Sequence, residues 1–140
     1  MKDISQEIRG DVLTNRVNLL RATVIEAAVL KNLLNEQVVL GHSKIVVDLS
    51  QCTHLDSTFI GVLVVTQKKL LAQGGELKIV DPLDPAKELF YLTGISNVFE
   101  TFNTSEEAVK SFNDNVKPKP EETIPEVDNN KNTVKWAFAQ

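Results

Sequence analysis

The sequence predicts an α/β domain with a mixed, mostly parallel sheet packed by about four helices. Two observations carry this reading. Short β-branched runs alternate with longer stretches of helical period, in the order β-β-α-β-α-β-α-β-α, and strands that alternate with helices of this length build a mainly parallel layer. The run Lys44–Leu49, KIVVDL, has four apolar residues in six, two of them adjacent valines. That is the composition of a strand covered on both faces.

The elements follow in chain order. Ile4 to Ile8 reads as a strand in which Ile4, Gln6 and Ile8 share a face, and Val12 to about Asn18 reads as its partner. The turn at Gly10-Asp11 between them predicts a hairpin. Thr23 is followed three residues later by Glu26, the spacing of a capping box. Val24, Ala28, Leu30, Leu33, Leu34 and Val38 then recur near helical period, and Gly41 stands where a left-handed helix terminus favours glycine. A helix is expected over about 23–40. After the strand at Lys44–Leu49, residues 57–73 are rich in valine, which alone favours a strand. The length of the run and its polar, basic end before Gly74-Gly75 predict a helix instead, with Phe59, Leu63, Leu70 and Leu71 on its buried side. Glu76–Val80 is the next strand. Asp84 and Pro85 begin another helix, as cap and first residue, running to Leu92 or Thr93 before Gly94. Asn97–Phe102 is read as the last strand. Thr104 and Glu107 repeat the capping-box spacing, and Ala108, Val109 and Phe112 give the final helix an apolar side that ends near Asn113.

These elements define a domain over residues 1–113. From Asp114 the chain is polar, charged and proline-bearing, so 114–140 reads as a C-terminal tail. Val134, Trp136 and Phe138 alternate near its end. They are either stray apolar residues or one face of a strand that docks over 134–138.

Composition narrows the function. The chain has 140 residues, 42% of them hydrophobic, and a formal net charge of −4. A net acidic surface does not drive nucleic-acid binding. Cys52 is the single cysteine, which excludes an internal disulfide, and no Cys/His spacing fits a zinc site. A reducing cytoplasm is the expected compartment, and no apolar run is long enough for direct membrane insertion. The two histidines, His42 and His54, do not build a catalytic site. A Ser57–His54–Asp triad lacks the G-x-S-x-G turn, and no glycine-rich phosphate loop is present. Asp48 lies near a strand end without the acidic pair that an aspartate-receiver domain requires. No enzyme, metal or cofactor is expected.

The stretch HLDSTFIG, residues 54–61, is the strongest local signal. Asp56 fits a helix cap, and small hydroxyls are ordinary in a first turn. The same place has free N–H groups and the positive end of the helix dipole, so it tolerates a phosphate. A phosphoryl group on Ser57 would add about −1.5 to −2 charge at pH 7. From the residues alone, capping and modification both stand, with Thr58 as the runner-up acceptor.

KIVVDLSQCTHLDSTFIGVLV, GGELKIVDP and LFYLTGISNVFETFNTSEEAV together resemble the STAS domain of bacterial anti-sigma factor antagonists, or anti-anti-sigma factors, over about residues 10–113. The resemblance implies a STAS-type fold and a partner switch. The unphosphorylated protein would bind an anti-sigma factor of the serine-kinase type, which phosphorylates Ser57 and is then released. A PP2C-type phosphatase would reset the chain. Asp56, Ser57, Thr58, Phe59 and Arg21 are the expected partner-binding residues. Two of them depart from the family pattern: Phe59 stands where glycine is usual, and Arg21 where an acidic residue is common. The alternatives are a STAS scaffold or subunit of another signalling or transport assembly, without phosphorylation, and a small α/β enzyme or ligand-binding protein.

Overall fold

The computed structural model describes residues 3–113. The expectations for the tail, including docking of 134–138, lie outside the described residues. In chain order the elements are β1 (Ile4–Arg9), β2 (Val12–Val17), β3 (Arg21–Ala22), α1 (Val24–Val39), β4 (Lys44–Asp48), β5 (His54–Leu55), α2 (Ser57–Ala72), β6 (Glu76–Val80), α3 (Ala86–Leu92), β7 (Thr101–Phe102) and α4 (Ser105–Asn113). The main sheet has the order β1-β2-β4-β6-β7. β1 and β2 are antiparallel, with Ile4 opposite Val17 and Arg9 opposite Val12. Every other pair in the sheet is parallel. The predicted mixed, mostly parallel sheet is therefore present.

The local reasons are those of the sequence. Gly10 turns the hairpin at φ 62, and Gly41 ends α1 at φ 98. At the start of α1 the Glu26 carboxylate accepts from the Thr23 backbone N–H at 2.8 Å. These bonds favour the ionised form and hold the Glu26 carboxyl below its ordinary range. β4 is buried over Ile45–Asp48, as its continuous apolar run requires. Ile45, Val47, Leu77 and Ile79 from the sheet pack with Leu30 and Leu34 of α1, Phe59, Leu63 and Leu70 of α2 and Phe90 of α3. Each such side chain contributes about 1.5–3 kcal/mol on full burial. Among the described residues no helix is long and apolar enough to cross a membrane.

Several expectations need correction. α1 buries Ala27, Leu30, Leu34 and Gln37, not Val24 or Ala28. The buried stripe includes an amide: Asn15 and Gln37 bond each other inside the core. Leu71 is exposed. Its place in the interior is taken by Gln67, whose side chain accepts from the Leu77 N–H at 2.8 Å and donates to the Val98 carbonyl at 3.2 Å. Asp84 does not cap α3. Pro85 holds the cap position, and the N–H groups of Ala86 and Lys87 donate to the carbonyls of Thr53 and Leu83. The last strand shrinks to Thr101–Phe102, because Gly94 at φ 81 leads into a 3-10 turn over Ile95–Asn97.

Two glycines give opposite predictions. A Cβ on Gly75 would lie 2.5 Å from the Ser43 carbonyl oxygen, and that oxygen already accepts from the Glu76 N–H at 2.9 Å. Gly75→Ala forces these backbones apart and is expected to lower stability by about 1–3 kcal/mol. Gly61 sits inside α2 with nothing within 4 Å of an added Cβ. Gly61→Ala is expected to raise stability by about 0.5–1 kcal/mol. Denaturant midpoints of the two variants check both signs.

Candidate functional site

The site is built at the start of α2. Asp56 is extended, at φ −91 and ψ 171, and its Oδ1 accepts from the Phe59 N–H at 2.9 Å. Its own carbonyl accepts from the Ile60 N–H at 3.1 Å. Asp56 therefore caps the helix as the sequence predicts. The cap leaves Ser57 and Thr58 exposed in the first turn, where no acidic side chain follows. Phe59 turns the other way, into the core cluster, and is fully buried. Its expected place on a partner-binding surface is corrected: at the third helical position the side chain faces the sheet.

A short ladder that periodicity did not reveal holds this helix start in place. β3 and β5 pair in parallel, with Arg21 opposite His54 and Ala22 opposite Leu55. The Leu20 carbonyl accepts from the N–H groups of Thr53 and His54, and the Ala22 carbonyl accepts from the Asp56 N–H at 3.2 Å. Ala22 and Leu55 are buried, so alternation along the strands sends Arg21 and His54 outward. Arg21 Nη1 lies 3.4 Å from His54 Nδ1, and Thr53 Oγ1 lies 2.9 Å from the same nitrogen. The Thr53 hydroxyl also donates to the Leu20 carbonyl at 3.2 Å. Four of the five expected partner-binding residues, Arg21, Asp56, Ser57 and Thr58, thus lie at or beside this helix start.

Beside His54 is an open groove of about 340 Å³, lined by Leu55, Ala86, Leu89 and Leu92 among others. It places apolar surface beside Thr53 and His54. Cys52 is buried, and burial with Asp48 nearby pushes its thiol up to about 12. A thiol held protonated is a poor nucleophile. Asp48 is itself buried, 3.5 Å from Arg16 Nε, with its other oxygen accepting from the Ser50 N–H.

With this geometry in hand, the comparisons are specific. A model of the STAS domain matches residues 6–108. A Thermotoga maritima protein provisionally assigned as an anti-sigma factor antagonist is 27% identical over 94 residues, which are 67% of this chain and 80% of that protein. BtrV of Bordetella bronchiseptica, with the same provisional assignment, is 28% identical over 96 residues, 69% of this chain and 78% of its own. Among solved structures, the Bacillus anti-sigma factor antagonist SpoIIAA superposes at 15% identity in two states. Its unphosphorylated form has a TM-score of 0.68 over 79% of this chain and 96% of SpoIIAA. The phosphorylated form has a TM-score of 0.63 over 78% and 98%. These superpositions are likenesses of fold. With most of the described residues inside the family match, the chain belongs to the STAS domain family.

Proposed function

We propose that this chain is an anti-sigma factor antagonist, a binding protein of the cytoplasm that is switched by phosphorylation of Ser57. One observation carries the reading. The Asp56 cap takes the Phe59 N–H, and Ser57 is left exposed at the positive end of a helix 16 residues long. A kinase can reach such a hydroxyl, and the helix end tolerates the charge it gains. Asp56, Ser57, Thr58 and Arg21 would form the partner surface, with the partner an anti-sigma factor of the serine-kinase type. The names of the Thermotoga and Bordetella relatives and the two states of SpoIIAA support this assignment. A PP2C-type phosphatase would restore the unmodified hydroxyl.

The phosphate changes binding more than folding. It adds about −1.5 to −2 charge to a surface that is exposed already, so no core contact is lost. Incubation with the cognate anti-sigma kinase and ATP is expected to add one phosphate, read by intact mass. Ser57→Ala should abolish the gain, and a Ser57→Ala chain that still accepts phosphate would transfer the assignment to Thr58. Ser57→Asp is expected to weaken binding to the anti-sigma factor by calorimetry while the far-UV spectrum is unchanged. Equal affinities for the two chains would refute an electrostatic switch.

A further inference from the structure

Arg21 is the one positively charged residue of the proposed partner surface. Arg21 is exposed on β3, and among the described residues no carboxylate lies within ion-pair distance of its guanidinium. It is nevertheless placed by two constraints. Its backbone is registered opposite His54, and its Nη1 meets the His54 ring at 3.4 Å. The ladder ends one residue before Ser57, because the Asp56 N–H donates to the Ala22 carbonyl at 3.2 Å. Neighbouring strands stand about 4.8 Å apart, and the three steps from His54 to Ser57 span at most about 10 Å. An arginine side chain and a phosphoserine side chain reaching toward each other cover that gap. Two nearby carboxylates already accept hydrogen bonds within the fold. Asp56 holds the Phe59 N–H, and Glu26 holds the Thr23 N–H and hydroxyl. Glu88 of α3 lies across the groove beside His54.

We propose that Arg21 is a built-in receptor for the phosphate on Ser57. The guanidinium fork closes on the phosphoryl oxygens, leaving the His54 ring as its support. The inference rests on Ser57 being the modified residue. It adds that the phosphate is read within the chain before any partner meets it. A bidentate arginine–phosphate pair is shorter and stronger than a neutral hydrogen bond. Its formation withdraws Arg21 from the outward surface at the moment the dianion appears. A partner that uses the free guanidinium then loses an attractive contact in addition to meeting a new negative charge. The switch acquires two effects of the same sign from one modification.

The experiment uses the full 140-residue chain with phosphoserine genetically encoded at position 57. The second ionisation of the phosphate is followed by 31P NMR against pH, in the parent sequence and with Arg21→Gln and Arg21→Lys. The helix dipole acts equally in all three, so their differences isolate Arg21. The parent phosphate is expected to ionise about 0.5–1 unit below that of the Arg21→Gln chain. Arg21→Lys should fall between, since it keeps the charge without the fork. Amide spectra confirm that the exposed substitutions leave the fold intact. Superimposed titrations for the parent and the Arg21→Gln chain would overturn the inference. The encoded residue separates this result from the kinase assay. An Arg21-dependent shift with no kinase acting on Ser57 sinks the phosphorylation reading alone, while kinase labelling with superimposed titrations sinks only the receptor.

Discussion

Phe59→Ala is expected to lower the stability of the domain by about 3–5 kcal/mol, the cost of emptying a core phenylalanine site. The side chain is 0% exposed and belongs to the cluster formed by the sheet with α1, α2 and α3. Whole domains of this size hold about 5–15 kcal/mol of net stability, so one truncation removes a large part of it. The effect is expected in the denaturant midpoint, with the slope unchanged. Phe59→Leu keeps most of the volume and should cost about 1.5 kcal/mol or less. Phe59→Gly restores the residue usual in the family and should be worse than alanine, because glycine inside a helix adds about 1 kcal/mol. A Phe59→Gly chain as stable as the parent would mean that the core closes without the ring. The prediction also concerns the site. The Phe59 N–H is the group that Asp56 caps, so the same residue holds the start of α2 by its buried ring and by its amide. Alanine keeps the amide and loses the ring. The cap should therefore survive in a folded Phe59→Ala chain, with the first turn of α2 exchanging amide hydrogens faster than in the parent.

Phe59 also marks the boundary of what the sequence can show. Continuous apolar runs and capping spacings are local, and they located β4, β6 and the starts of α1 and α4 within a residue or two. The cap at Asp56 was legible for the same reason, since a carboxylate three residues before an N–H needs no tertiary partner. Whether Phe59 faces a partner or the sheet is decided by where the rest of the fold stands, and no local pattern reports it. β3 and β5 have two residues each, too few for a period, yet their register brings Arg21 to His54. The available hint was the pair of small or apolar residues, Ala22 and Leu55, each following a polar one. The buried face of α1 was misread because its interior stripe includes glutamine. Apolar periodicity scores Gln37 as surface and so rotates the helix toward Val24 and Ala28.

That rotation supplies the second large effect. Asn15 and Gln37 are 0% and 4% exposed, and their amides form two reciprocal bonds, of 3.0 Å and 2.7 Å. Asn15→Leu strands both the amide donor and the carbonyl of Gln37 in the core, and each stranded group costs about 1–3 kcal/mol. A loss of about 2–5 kcal/mol is expected for Asn15→Leu, and a similar loss for Gln37→Leu, read from denaturant midpoints. The chain with both leucines should be more stable than either single variant, since no polar group is then left unpaired. The coupling in this cycle is expected at about 2–3 kcal/mol, near the upper range for residues in contact. Additive losses would show that the pair is not a unit. The doubly substituted chain gains apolar contact but loses direction. Two hydrogen bonds admit one rotation of α1 over β2, whereas leucines permit several. α1 should then sample more than one rotation, some of which bring Val24 inward. New NOEs from Val24 to core methyls would report them. The native amide pair thus fixes one orientation, which keeps Val24 and Ile25 exposed immediately after the strand that carries Arg21.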